Sequence, residues 1–349
     1  MESGAEFRAL RFNLGSDDPN AWMSGIVRNA LRRVKAQGVF GAVGAYWRMF
    51  RWARARQNPE RRFLETRILG SRMRLDLRNP GISEDLNKYG FREGEQLHLL
   101  RKTLKPGMCV LDIGGNIGYY TCLIARTVGQ EGQVYAVEPD PENCALLRSN
   151  VELNGYDAFT EVGELGISDR CGERTFHLAG VSNRHSFHDL SADPGDEHSG
   201  GGGGSITVKV MDLPTYLADR RRPDYLRMDV EGHEVEVLRG LAAEAARSDW
   251  RPSVMFEAHP WHYDDGERDI REPLRDLFDL GYETKWLVST REPAEAFRAR
   301  GLEPVETVRP VETEHGFYED VPAEAALDLI ATEQRTKAVF LQRQGESQV

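Results

Sequence analysis

The sequence contains no run of about eighteen apolar residues, so no membrane-spanning helix is predicted. Its first residues, MESGAEFRALRFNLGSDD, lack the basic-then-apolar order of a secretory signal. Cysteine is scarce and scattered. Cys109, Cys122, Cys144 and Cys171 show no C-x-x-C spacing, which excludes a disulfide framework and a structural zinc finger. Three of the four fall in strand or helix patterns, where they would pack as small hydrophobes. These absences predict a cytoplasmic protein with free thiols. No internal repeat is present.

Acidic residues outnumber basic ones over most of the chain, but not everywhere. Between Arg28 and Arg62 ten Lys/Arg stand against one acid, Glu60; this local +9 leaves −20 on the rest of a chain whose formal charge is −11. An acidic body argues against a broad nucleic-acid footprint, and no nucleic-acid partner is expected. From Ile26 to Trp52 apolar residues recur at helical spacing (Val27, Leu31, Val34, then Val39, Val43, Trp47, Phe50), with arginines between them. The pattern predicts one or two basic amphipathic helices, broken near Gly38–Gly41. Two readings stay open: a helical lobe with a solvated arginine face, or peripheral contact of residues 26–56 with an anionic membrane surface. Residues 1–63 thus read as a helical extension and 64–349 as the main domain.

Residues 64–80 predict a short hairpin and ISEDLNKYGFREGEQLHLLRKTL a helical pair. Strand and helix then alternate: CVLDI (109–113), helix 117–128, GQVYAV (132–137), helix 141–154 and a strand near 159–162. RTFHLA and SITVKVM add strands around a loop, 191–205, that carries five consecutive glycines and cannot pack. DYLRMDV (224–230), helix 233–246, SVMFEA (253–258), helix 268–280, YETKWLV (282–288) and KAVFLQ (337–342) resume the alternation. This is an α/β pattern: a doubly wound, mostly parallel sheet covered by helices on both faces.

Ligands of such sheets bind at the carboxyl ends of the strands. The first strand here runs into LDIGGNIGYYT, whose glycines are Gly114, Gly115 and Gly118. Asn116 replaces the glycine expected in a dinucleotide fingerprint, and Asp112 precedes the turn. A carboxylate there would repel a pyrophosphate and favour a cationic group. Glu138, at the end of the second strand, suits the two hydroxyls of a ribose. A nucleoside carrying positive charge fits both, as S-adenosylmethionine does and NAD does not.

These motifs resemble the FkbM family of S-adenosylmethionine-dependent methyltransferases. The likeness runs through VLDIGGNIGYYT, VYAVEPDPENCALLRSNVELNG, VKVMDLPTYL, PDYLRMDVEGHEVEVLRG and VMFEAHP, over about residues 85–290. It implies the Rossmann-like class I methyltransferase fold, seven-stranded with its last strand antiparallel, and transfer to a hydroxyl of a sugar, glycan or secondary metabolite. Carried over by position, Asp112, Gly114, Gly115, Asn116 and Gly118 would line the methionine end of the cofactor. Glu138 would hold the ribose and Asp169 would approach the adenine.

An alcohol needs its proton removed before it can attack a methyl group. In MDVEGHE, Asp229 ends the fourth strand, with Glu231 and His233 following; FEAHP adds Glu257 and His259 at the next strand end. This set suits a histidine base oriented by carboxylates, the reading preferred here, and also has the ligand chemistry of a divalent metal. His185 and Ser186 sit on a loop that could touch the acceptor. His177, His188, His198, His262 and His315 read as surface or packing residues. Two other classes stay in view: a nicotinamide-dependent oxidoreductase, disfavoured by Asp112 and Asn116, and a non-catalytic membrane-docked binding module.

Overall fold

Helix α1 (44–56) buries Ala45, Trp52 and Ala55 along one stripe, at the i, i+7, i+10 spacing of an amphipathic helix. It stops three residues before Pro59, whose ring disfavours a helical residue ahead of it. The computed structural model describes residues 44–78, 81–179, 184–188, 204–264, 266–311, 313–332 and 335–345. The helical pattern expected from Ile26 to residue 43, and the glycine-rich loop up to residue 203, lie outside these.

The chain forms two compact units, Met1–Ile68 with Leu75–Arg92, and Leu69–Arg74 with Glu93–Val349. In the first, α1 is followed by β1 (Phe63–Ile68) and by α2 (Gly81–Tyr89); β1 forms a two-stranded ribbon with β2 (Ser71–Asp76). The Arg48 Nε donates to the Asn87 carbonyl at 2.9 Å, and the Asn87 amide donates back to the Arg48 carbonyl at 3.2 Å, tying α1 to α2.

The second unit begins with α3 (Gly94–Thr103). It continues through β3 (Cys109–Ile113), α4 (Tyr119–Val128), β4 (Gln133–Val137), α5 (Pro141–Leu153) and β5 (Thr160–Gly163). Next come β6 (Gly166–Ser168), β7 (Gly172–His177), β8 (Ser205–Asp212), α6 (Leu213–Tyr216), β9 (Tyr225–Met228) and α7 (Glu234–Arg247). It closes with β10 (Ser253–Glu257), α8 (Arg271–Asp279), β11 (Tyr282–Ser289), α9 (Glu295–Arg298), β12 (Glu306–Val308), β13 (His315–Val321), α10 (Ala323–Ala331) and β14 (Thr336–Arg343).

The main sheet has the order β12-β13-β11-β14-β10-β9-β3-β4-β5. Strands β5, β4, β3, β9 and β10 run parallel, and β14 lies antiparallel between β10 and β11. The seven expected strands are therefore present with the expected antiparallel last strand. Two more, β12 and β13, extend the β11 edge, and β6, β8 and β7 form a separate small sheet. Strands β3 and β9 are buried along their whole length, as parallel strands covered on both faces must be. The chain winds outward from β3 through β4 to β5 and then returns to the other side of β3 as β9. The strand order reverses between β3 and β9, and the crevice at their carboxyl ends is where a ligand finds room.

Candidate active site

At the end of β3 the backbone turns through Gly114 (φ +81), Asn116 (φ +49) and Gly118 (φ +87) before α4 begins. A Cβ on Gly114 would lie 2.0 Å from the Asp229 carbonyl oxygen, so the adjacent ends of β3 and β9 approach this closely only with glycine there. A Cβ on Gly115 would meet Leu147 of α5 at 2.5 Å. The Asn116 N–H donates to Glu138 Oε2 at 2.8 Å, and the Asp140 N–H donates to Glu138 Oε1 at 3.0 Å. Glu138 is thereby fixed at the lip of the turn. Burial pushes its carboxyl up to about 8, against the pull of those two N–H groups. Asp140 caps α5 through the Glu142 and Asn143 N–H groups and pairs with His185 Nε2 at 3.1 Å. Burial opposes its ionisation, but these partners hold it below the usual carboxylate range.

Asp112 is held by partners of its own chain. It is fully buried. The Thr121 hydroxyl donates to its Oδ2 at 2.6 Å, and Arg227 Nη1 lies 3.3 Å from its Oδ1. Arg227 stands opposite Asp112 in the β3–β9 register, is 1% exposed, and reaches Asp229 Oδ2 with Nη2 at 3.0 Å. Its guanidinium lies 4.0 Å from the centroid of the Tyr120 ring. The negative charge expected of Asp112 is therefore neutralised by a residue that the motif reading passes over. The available signal is a lone arginine inside an apolar central strand.

The acceptor side begins where β9 ends. Glu231 (φ +46) and Gly232 (φ +98) both take left-handed backbone, turning the chain sharply before α7. Asp229 and Glu231 keep about a quarter of their side-chain surface exposed. His259, 2% exposed, faces them from the end of β10: its Nε2 lies 3.6 Å from Glu231, 3.8 Å from Glu257 and 3.9 Å from Asp229. Its Nδ1 lies 2.8 Å from Glu234 Oε1, and the Tyr263 hydroxyl donates to Glu234 Oε2 at 3.0 Å. Burial alone would lower the imidazolium, but Glu234, Glu231 and Glu257 hold it well above its usual value. Burial, with Asp229 and Glu257 adding, pushes Glu231 up to about 8 against the attraction of His259. Glu257 in turn accepts from Gln96 Nε2 at 2.5 Å and pairs with Lys337.

Two of the candidates, His233 and Ser186, lie apart from this cluster. His233 is fully buried and turns away from Asp229 and Glu231: its Nε2 lies 3.0 Å from Ser168 Oγ and its Nδ1 3.4 Å from His188 Nε2. The left-handed pair at Glu231–Gly232 breaks the alternation that would have kept residues 229, 231 and 233 on one face. His233 therefore packs behind the pocket, where burial drives its imidazole well below the usual value. Ser186 is also fully buried; its hydroxyl donates to the Glu231 carbonyl at 2.6 Å and supports the turn. His185 stands on Asp140, on the Glu138 side of the crevice. Asp169 follows β6 and pairs with Arg174 at 2.8 Å.

Residues outside the candidate set are packed around this cluster: Glu93, Arg227, Tyr263 and Lys337, with Glu234 of the MDVEGHE stretch buried against His259. Tyr120 donates to Glu93 at 2.9 Å. Ligand atoms of Asp229, Glu231 and His259 lie within 4.8 Å of one another, as do those of Glu93, Asp229 and Glu257. A third such set, His188, His233 and Glu236, lies behind the pocket.

A glycine turn into a helix, a fixed carboxylate at the next strand end and a switch point between β3 and β9 define a nucleoside-binding protein of the class I methyltransferase fold. Residues 112–284 match the methyltransferase FkbM domain, and this part of the chain belongs to that family, whose methyl donor is S-adenosylmethionine. Among curated proteins, the protein-L-isoaspartate O-methyltransferase of Aeropyrum pernix is 29% identical over 162 residues, covering 45% of this chain and 60% of its own length. The hexuronic acid methyltransferase AglP of Haloferax volcanii is 26% identical over 152 residues, covering 42% and 56%. An isoaspartate O-methyltransferase of Arabidopsis thaliana is 44% identical over 71 residues, or 20% and 31%. The matches thus span about a third to three-fifths of these relatives. The crystal structure of an FkbM methyltransferase from Methylobacillus flagellatus covers 68% of this chain and 53% of its own at 15% identity, with a TM-score of 0.34.

Proposed function

We propose that the protein is an S-adenosylmethionine-dependent O-methyltransferase acting on a hydroxyl of a sugar, glycan or secondary metabolite. The observation that carries this reading is the pairing, across one switch point, of a ribose-type carboxylate, Glu138, with the His259–Glu231–Asp229 cluster. The Gly114–Gly118 turn and Glu138 would hold the donor, which supplies a methyl group on a sulfonium. On the other side, His259 is a base held in position: Glu234 fixes its Nδ1, leaving Nε2 toward the acceptor. The donor would supply its methyl group to the acceptor oxygen and keep the electron pair of its carbon–sulfur bond, and the two strand ends would align oxygen and methyl carbon for that displacement. The hydroxyl proton passes to His259 Nε2, with Glu231 and Asp229 stabilising the imidazolium. The base works only unprotonated, so turnover rises with pH as His259, held protonated by its carboxylate neighbours, loses its proton. Incubation with S-adenosylmethionine and a glycan pool tests the reading; the expected product is heavier by one methylene, and no cofactor-dependent mass gain in any hydroxyl acceptor contradicts it.

A second reading rests on the two ligand sets that share Asp229. A divalent cation held there would acidify the acceptor hydroxyl in place of the base. Activity lost on EDTA treatment and restored by magnesium supports the cation; undiminished activity leaves the base. Hexuronic acid is the acceptor class in the name of the Haloferax relative, and uronic-acid glycans are the first pool to try.

A further inference from the structure

Large apolar side chains exposed among the described residues are Tyr46, Trp47, Phe50, Phe63, Val305 and Val311. All the aromatic ones lie between residues 46 and 63, and three are on α1. Trp47 is 61% and Phe50 48% exposed, with ring centroids 5.9 Å apart. They do not face the core by default, because the opposite stripe of α1 already buries Ala45, Trp52 and Ala55. Positions 47, 50, 51 and 54 share the outward face at i, i+3, i+4 and i+7. Arg51, Arg54 and Arg56 are exposed, and no acidic residue occurs between 44 and 56. A contiguous aromatic patch set in a ring of arginines calls for a partner.

We propose that the outward face of α1 docks on an anionic membrane surface, with Trp47 and Phe50 entering the interface and the arginines meeting lipid phosphates. Charge decides for this partner. The segment from Arg28 to Arg62 carries +9 against −20 on the rest, so an anionic surface attracts this segment and repels the remainder, which orients the protein. Trp and Phe beside arginines match the boundary between headgroups and acyl chains. A nucleic acid would gain from the arginines but lacks a medium in which Trp47 and Phe50 are buried together. Attachment by one short face is reversible. The docking does not depend on which hydroxyl is methylated.

Co-sedimentation of the full chain with vesicles of phosphatidylglycerol and phosphatidylcholine, against phosphatidylcholine alone, tests this. The expected result is binding to the anionic vesicles only, weakened by salt. Trp47→Ala/Phe50→Ala should lower partitioning about tenfold or more, and Arg51→Ala/Arg54→Ala should weaken it and flatten the salt dependence. Thermal melts and S-adenosylhomocysteine binding, unchanged in both variants, show that the fold is intact. Absence of binding, equal binding to both vesicle types, or wild-type binding by the aromatic variant overturns the proposal. Saturable binding to duplex DNA in place of vesicles assigns the face to nucleic acid and overturns it too.

Discussion

Replacing Arg227 by methionine keeps much of the side chain's apolar volume but removes the only cation beside Asp112 among the described residues. Asp112 is fully buried and Arg227 is 1% exposed, with contacts of 3.3 Å to Asp112 and 3.0 Å to Asp229. Removing one partner of a buried pair costs about 3–5 kcal/mol, because the other charge stays behind unpaired. Against a total stability of roughly 5–15 kcal/mol, that is a large fraction. The pH dependence fixes the cause. Burial already raises the Asp112 carboxyl, and Arg227 is the largest influence opposing it. Without Arg227 the folded-state value rises further above the unfolded one. Stability from such a group is fully present below the unfolded value and lost as pH rises through the folded value. The Arg227→Met deficit should therefore shrink on acidification toward about pH 5. It should also shrink when Asp112→Asn is added, which leaves no buried charge at that position. Urea unfolding of the wild type, both single variants and the double variant, at two pH values, measures this directly. A deficit below about 1 kcal/mol, or one that is additive with Asp112→Asn and unchanged by pH, would refute the pairing.

Glu138→Gln keeps the shape but not the charge of the carboxylate proposed to hold the ribose, and above the carboxyl's raised value of about 8 should weaken S-adenosylhomocysteine binding about 10- to 100-fold by calorimetry, the scale of a lost charged hydrogen bond. Because the Glu138 carboxyl is pushed up to about 8, wild-type affinity should strengthen as pH rises toward that value, and the variant should lose that dependence. His259→Asn should cut kcat by about 10²–10⁴ with cofactor affinity unchanged, whereas His233→Asn should act mainly on stability, read as a lowered Tm; equal kcat losses would place His233 back in the pocket. Gly114→Ala should destabilise by well over the ~1–2 kcal/mol of a left-handed alanine, since its Cβ meets backbone. Gly107→Ala, with the same φ of +81 and nothing within 4 Å, is the matched control, and similar losses for both would contradict the close approach of β3 to β9.

The strands that build the crevice are legible because central parallel strands are short, apolar and separated by glycine turns: CVLDI matches Cys109–Ile113 residue for residue. Helix α7 begins at Glu234, one residue from its expected start. Strand β12 is only three residues long at the sheet edge, and β13 beside it mixes acids and glycine with its apolar residues in HGFYEDV, so neither carries such a signal. In the site, Glu138 and the turn can be placed from spacing. The roles of Asp112 and His233 cannot, because they depend on register and on backbone hand. Arg227 faces Asp112 only once β9 is set beside β3, 115 residues away in sequence. His233 turns from the pocket only because Glu231, a non-glycine residue, accepts a left-handed φ of +46. Neither fact has a local signature.

Methyl transfer to a hydroxyl oxygen at the β3/β9 crevice would make an ether, and the stability of the transferred methyl group separates that product from an ester. The full chain, incubated with methyl-labelled S-adenosylmethionine and a uronic-acid glycan, should place label in product, and His259→Asn should abolish most of it. A methyl ether survives mild alkali and a methyl ester does not. The account predicts alkali-stable label; label released as methanol would show transfer to a carboxylate and contradict it.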